Sequence, residues 1–99
     1  MSGFRLSHLA DRDLDEIADY IADRNPSAAI QEIDKLYGRF ALLATQPLMG
    51  QLRDDLPGHP RTFSSGNYLI LYRPITDGIE VARVVHAARD VGAILRQQE

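Results

Sequence analysis

The sequence predicts an α+β fold in which an N-terminal strand and a helical hairpin pack on a mainly antiparallel sheet. In the first half of the chain, two stretches carry apolar residues at helical spacings of three and four. In the second half, short runs of alternating apolar and polar residues are separated by Gly, Asn and Asp. Because helical and strand-like stretches are segregated along the chain, we expect two layers. The 99 residues fit one domain spanning 1–99.

The first helix is predicted from its cap and its apolar stripe. Residues 4–6 form a short strand candidate, and Ser7 after them can cap a helix. The apolar stripe that follows consists of Leu14, Ile17, Ala18 and Ile21. Acidic residues occupy the opposite face of this helix, so one face is expected to pack on the sheet.

A second amphipathic helix completes the hairpin. Asn25 is its predicted cap, and Pro26 takes the first helical position, where the missing N–H costs nothing. The helix is expected to end before Pro47. Gly38 in its interior costs about 1 kcal/mol relative to alanine, so it either permits close approach of another backbone or is simply tolerated, and we expect the close approach.

Strands fill the second half of the chain. Residues 51–60 contain a Pro-Gly pair and a further proline, and are predicted to form an ordered loop. Three strands at 61–64, 68–73 and 79–86 are joined by short turns and form an antiparallel meander. Residues 90–95 are expected to add a last helical turn.

The last strand of the meander combines apolar and charged side chains. Strict alternation places Arg83 on the face shared by Ile79, Val81 and Val85, and places His86 on the other face. The opposite face of the meander carries apolar residues that a small domain is expected to leave partly exposed: Leu69, Leu71, Ala82 and Val84. Exposed apolar area of this kind indicates a binding site.

Composition excludes several classes of protein. There is no cysteine, and therefore no disulfide framework or thiolate chemistry. The net charge of the chain is -3, and acidic residues are concentrated in its first third. This distribution argues against a protein that covers nucleic acid through many phosphate contacts. No apolar run approaches the ~20 residues of a membrane helix, and no secretion signal is visible, so we expect a cytoplasmic protein without membrane contact.

The motifs in the second half resemble those of the ParE toxins of the RelE/ParE superfamily. They read R-x-F at 61–63, Y-x-I-x-Y-R at 68–73 and I-E-V-x-R-V-V-H-x-A-R-D at 79–90. The helical hairpin resembles the family as well, with D-L-D-E-I at 13–17 and the Asn25-Pro26 pair. The resemblance covers nearly the whole chain.

The resemblance implies a bacterial toxin that an antitoxin of the ParD type neutralises in a hetero-oligomer, and that inhibits DNA gyrase by binding, without a cofactor. Other branches of the superfamily, which are RelE-like, cut messenger RNA on the ribosome. A third possibility is a non-toxic member that acts only in the antitoxin complex. The resemblance also implies that toxin and antitoxin together bind their own operator, with the DNA-reading element in the antitoxin, and nothing in this chain resembles a basic major-groove helix.

Chemistry favours binding over RNA cleavage. Cleavage without a metal needs a general base, a general acid and cations around the transition state. The one lysine, Lys35, lies in the second helix, away from the sheet on which such a site is expected. Arg61 and Arg89 remain as cations, with His86 as the nearby proton carrier, and arginine rarely gives up its proton. We therefore expect no catalytic residues.

The candidates for contacting a partner or target are arginines, one histidine and two leucines: Arg61, Arg73, Arg83, His86, Arg89, Leu69 and Leu71. Each has an ordinary structural interpretation too. His86 can be a hydrogen-bonded structural histidine, Arg83 can pair with a charge such as Glu80, and the other arginines can be solvated. The three histidines have no short-spaced pair, so no metal site is predicted.

Overall fold

A computed structural model describes residues 3–97 and shows the predicted two-layer α+β architecture. Two helices pack on one face of a five-stranded mixed sheet, and a short third helix follows the last strand. The elements in chain order are β1 (Gly3–Leu6), α1 (His8–Ala22), α2 (Pro26–Thr45), β2 (Gln51–Leu52), β3 (Arg61–Ser65), β4 (Tyr68–Ile75), β5 (Gly78–His86) and α3 (Val91–Arg96).

Both long helices begin at the residues expected to cap them. The Ser7 hydroxyl accepts the Ala10 N–H at 3.0 Å, and the Asn25 side chain accepts the Ala28 N–H at 3.2 Å. These bonds satisfy backbone donors that have no partner within the helix. The expectation for Gly38 was wrong: a Cβ built there meets no atom within 4 Å, so no backbone approaches it closely.

The strands follow the order β1-β5-β4-β3-β2. The predicted antiparallel meander is β3-β4-β5, and β1 pairs with β5 in parallel. The prediction that 51–60 forms only a loop was wrong at its start, because Gln51 and Leu52 pair with Thr62 and Arg61. Two paired residues are too few to produce a recognisable alternating pattern in the sequence.

The main core lies between the helical hairpin and the sheet. Its fully buried members include Leu36 and Phe40 of α2, and Ile70 and Tyr72 of β4. Phe4 of β1 packs edge-on against Phe40, with ring centroids 5.5 Å apart. The apolar stripes predicted for the helices therefore meet the face of the sheet that carries the alternating tyrosines and isoleucine.

A second apolar cluster covers the opposite face of the meander. Leu71 is 0% exposed and packs with Leu56 of the 53–60 loop, Val85 of β5 and Leu95 of α3. Leu69 packs against the same cluster and is half-buried. The expectation of a partly exposed apolar face was therefore wrong for Leu71, because the loop and α3 supply the cover that the meander lacks by itself. Leu69 and Ala82 are half-buried.

A β-bulge changes the predicted faces of β5. Tyr72 pairs with Val81 and Leu71 with Arg83, so Ala82 has no residue opposite it. One extra residue shifts the alternation by one position. Val84 therefore joins Ile79 and Val81 in the main core, whereas Val85 enters the second cluster. The predicted shared face of Arg83, Ile79, Val81 and Val85 was wrong for this reason, as was the placement of Val84.

Candidate functional site

A groove of about 1280 Å³ lies where α1, α2 and the end of β5 meet. One wall is formed by α1, with the side chains of Ile17, Tyr20 and Ile21. The turn between β3 and β4, the end of β5 and α3 complete the enclosure. Tyr20 is 59% exposed and its ring stacks under the Arg24 guanidinium, 4.5 Å from the ring centroid. The groove combines exposed apolar area with charged side chains, which suits a polypeptide partner.

An ion pair between α1 and β5 forms part of the groove. The Asp13 carboxylate accepts from Arg83 Nε at 2.7 Å and from Arg83 Nη2 at 2.9 Å. Asp13 also accepts the Val84 N–H at 2.9 Å, and it is only 8% exposed. The hydrogen bond to Asp13 outweighs burial and raises the pKa of Arg83 above its ordinary value. Arg83 therefore pairs with a charge, as its structural interpretation expects, but the partner is Asp13 of α1, because Glu80 accepts from Arg5 and Arg73.

The groove also contains Tyr68 and His86. Their rings lie edge-on with centroids 5.7 Å apart. Burial raises the pKa of Tyr68, and the charge of Glu32 raises it further. His86 Nδ1 accepts the Ala88 N–H at 3.2 Å, which is the structural role weighed for this histidine. A tyrosine with a raised pKa keeps its proton at neutral pH and is a poor general base.

The basic side chains of the groove are Lys35, Arg83 and Arg89. The exclusion of Lys35 on account of its helix was wrong: packing of α2 on the sheet places it along the same groove as His86 and Arg89. Arg89 is exposed, and within residues 3–97 its side chain has no ion-pair partner. Arg89 is therefore available to a partner's carboxylate or phosphate.

Arg61 and Arg73 lie outside this groove and on opposite faces of the sheet. Arg61 pairs across from Tyr72 and donates to the carbonyls of Gly50 at 2.7 Å and Leu48 at 3.2 Å. Arg73 donates to Glu80 at 2.9 Å. The predicted candidates Arg61, Arg73 and Arg89 therefore do not form one basic patch. Arg61 fixes the chain that leads into β2.

Glu80 joins three strands on the face opposite the hairpin. It accepts from Arg73 of β4 at 2.9 Å and from Arg5 of β1 at 3.1 Å. Burial opposes ionisation of Glu80, but the two arginines outweigh it and lower the pKa of this carboxyl. The two leucines predicted as contacts, Leu69 and Leu71, belong to the second apolar cluster on this side of the sheet.

Sequence reasoning missed Asp13 as a residue of the groove. The signal was present, because Asp13 falls on the apolar stripe of α1 beside Leu14, one turn after Ala10 and one before Ile17. A carboxylate on the buried stripe of a helix needs a counter-charge. The acidic groove residues Glu16 and Glu32 were missed as well, because a helical glutamate away from the apolar stripe carries no such signal.

Within residues 3–97, no group of three His, Asp or Glu side chains could hold a metal ion. In the same range, no helix has both the length and the apolar character needed to cross a membrane.

Comparison with known proteins gives a consistent family. The model of the family described as the ParE toxin of type II toxin-antitoxin system, parDE, matches residues 4–91. Toxin ParE1 of Caulobacter vibrioides is 31% identical over 96 residues, which cover 96% of this chain and 99% of that protein. Toxin RelE3 of the same organism is 28% identical over 88 residues, covering 88% and 96%.

A solved structure of the chromosomal ParDE TA system from P. aeruginosa contains a chain with the same fold. The TM-score is 0.71 at 22% identity, and the match covers 87% of this chain and 96% of that chain.

Proposed function

Because the chain belongs to the ParE toxin family of type II toxin–antitoxin systems, we propose that it is the toxin of such a pair, neutralised by a ParD-like antitoxin, and that it inhibits DNA gyrase by binding. The family match over residues 4–91 carries this proposal. Gyrase is a bacterial cytoplasmic enzyme, so the protein would act in the cytoplasm.

The groove between α1 and β5 is the proposed antitoxin site. It presents the exposed ring of Tyr20 beside Ile17 and Ile21, and its rim carries charges of both signs, Glu16 and Arg89 among them. An apolar centre with a charged rim is the usual anatomy of a protein interface. The exposed aromatic ring is the best candidate for an anchor residue, since tyrosines are enriched among residues that dominate binding.

Binding rather than catalysis is supported by the state of the proton carriers. Tyr68 has a raised pKa, and His86 Nδ1 is already an acceptor for the Ala88 N–H. Arg83 is held by Asp13. The presence of Lys35 in the groove and the similarity to Toxin RelE3 favour ribosome-dependent mRNA cleavage as the second candidate function.

A pair of assays separates the two candidate functions. Purified protein is added to gyrase with supercoiled plasmid, and in parallel to a translating extract in which messenger RNA is mapped for cuts. Trapped double-strand breaks in the plasmid support inhibition of gyrase, whereas RNA cuts that are abolished by Lys35→Ala or His86→Ala support the nuclease. If neither plasmid breaks nor RNA cuts are observed, the target assignment is wrong or this member is non-toxic.

Antitoxin binding is tested with a matched pair of exposed apolar residues. Tyr20→Ala is expected to weaken the affinity for the ParD-like antitoxin by about tenfold or more, as expected of an anchor residue. Ile30 of α2 is 66% exposed and does not line the groove, so Ile30→Ala is the control and should change affinity less than about threefold. Equal effects of the two substitutions would remove the groove as the antitoxin site.

Arg89→Ala tests whether the same groove contacts the target. Loss of toxicity with unchanged antitoxin affinity assigns Arg89 to the target contact. A parallel loss of both assigns it to a surface that antitoxin and target share. Arg39 of α2, which does not line the groove, supplies the control substitution.

A further inference from the structure

β5 extends past its parallel neighbour and leaves an edge that could accept another strand. β1 pairs with β5 from Gly78 to Val81, but β5 continues to His86. Within residues 3–97, the residues of β5 after Val81 have a strand neighbour on the β4 side alone. Such an edge presents backbone N–H and C=O groups to any other extended chain.

Two side chains near the start of α1 occupy this edge. The Ser7 hydroxyl donates to the Ala82 carbonyl at 2.7 Å, and the Asp13 carboxylate accepts the Val84 N–H at 2.9 Å. In a parallel sheet, a single residue opposite Arg83 would bond these same two backbone groups. If β1 continued along β5, its residue opposite Arg83 would make these two bonds. Ser7 and Asp13 make them instead.

Both side chains are held in place by further contacts. Ser7 is fixed as the cap of α1 by the Ala10 N–H, and its own N–H donates to the Val81 carbonyl at 2.9 Å. Asp13 is fixed by the two bonds from Arg83. The ion pair thus adds to the Val84 N–H in holding the carboxylate at the strand edge.

We propose that Ser7 and Asp13 act as a side-chain substitute for a parallel strand, and that they close the free edge of β5 to strand addition by a second copy of this chain. Two identical open edges can pair with each other about a two-fold axis, which makes self-association the direct consequence of opening this one. In this role the Asp13 carboxylate fixes the edge of β5 through the Val84 N–H.

The test compares two variants that differ only at Asp13. Arg83→Ala keeps the carboxylate that accepts the Val84 N–H, whereas the double variant Asp13→Ala/Arg83→Ala removes this acceptor together with the guanidinium that pairs with it. The readouts are amide hydrogen exchange at Val84 and Val85, followed by NMR, and self-association by sedimentation equilibrium. Val85 is the internal reference, because its N–H points toward β4 when that of Val84 points away.

In the double variant we expect exchange at Val84 to accelerate about tenfold or more relative to Val85, as loss of a hydrogen bond to a carboxylate predicts. Self-association should rise above that of Arg83→Ala and of the unaltered chain. If the ratio of the exchange rates of Val84 and Val85 is unchanged, the proposal is overturned, because both amides then respond only to a change in global stability. A changed ratio without self-association overturns it as well.

Ser7→Gly provides a second test that does not depend on folding of the double variant. Glycine at the cap position lowers helix stability only slightly, yet it removes the donor to Ala82. This variant should also self-associate more than the unaltered chain, and Ser27→Gly in the first turn of α2 is its control. A Ser7→Gly variant that self-associates no more than this control contradicts the proposal.

Discussion

Removal of the Asp13 carboxylate should be among the most destabilising single substitutions in this protein. Asp13→Ala leaves the Arg83 guanidinium, whose side chain is 14% exposed, without its bidentate partner. Breaking a buried ion pair on one side costs about 3–5 kcal/mol. It also leaves the Val84 N–H without its acceptor. Since a domain of this size is stable by roughly 5–15 kcal/mol, the loss is a large part of the total.

A double-mutant cycle with Asp13→Ala, Arg83→Ala and the double variant measures the coupling between the two side chains. The free energies of unfolding come from urea titrations followed by circular dichroism. We expect a coupling of about 2 kcal/mol or more, because contacting residues in one network reach roughly 3 kcal/mol. Asp15→Ala, an exposed acid of the same helix, should change stability by less than about 0.5 kcal/mol.

The result that would refute this reasoning is a coupling below about 1 kcal/mol, the range of exposed surface pairs. The Asp13–Arg83 contact would then contribute no more than solvated charges do. The reasoning would also be refuted if Asp15→Ala lowered the free energy of unfolding as much as Asp13→Ala does. The loss would then arise from removing a negative charge from the helix and not from breaking the bonds to β5.

Four further predictions concern stability. Gly38→Ala should raise the free energy of unfolding by about 1 kcal/mol, as helix propensity predicts for a site with no neighbour within 4 Å, and should raise the melting temperature in calorimetry. Gly50→Ala is the contrasting case, since its Cβ would lie 2.6 Å from the Tyr72 hydroxyl, and should lower stability. Tyr72→Phe should cost about 1–3 kcal/mol in urea titration, because the buried hydroxyl accepts the Gly50 N–H and donates to the Pro47 carbonyl, both at 2.8 Å. Glu80 has a lowered pKa when folded, so its contribution is present above its ordinary pKa of 4.5 and is lost as the pH falls through the folded value. The urea midpoint of the unaltered chain should therefore fall more steeply below that pH than the midpoint of Glu80→Gln.

Much of the fold was predictable because local signals agreed with one another. Ser7 and Asn25 begin their helices where the cap pattern placed them, and the meander lies where alternation predicted it. A cap and a turn depend on a few neighbouring residues, so the sequence contains the whole cause. The short strand β2 was missed because its two residues pair with partners eleven and nine positions away and no local pattern marks it.

The candidate site was predicted only in part. Arg83, His86 and Arg89 line one groove, as their proximity in the last motif suggests. Arg61 and Arg73 do not join them, because one bonds to backbone carbonyls and the other to Glu80. Side-chain partners from distant parts of the chain decide such outcomes, and a single sequence does not specify those partners.

The amino-acid sequence by itself determined the two-layer architecture, the ends of the long helices and the family resemblance, since these follow from periodicity, caps and motifs along neighbouring residues. Only the tertiary structure decided which face of β5 meets the helices, because a single bulged residue, Ala82, reverses the alternation that follows it. It also decided that Asp13 pairs with Arg83 and that Lys35 lines the same groove as His86. Those contacts depend on how α1 and α2 pack across the sheet, where residues some fifty to seventy positions apart are brought together.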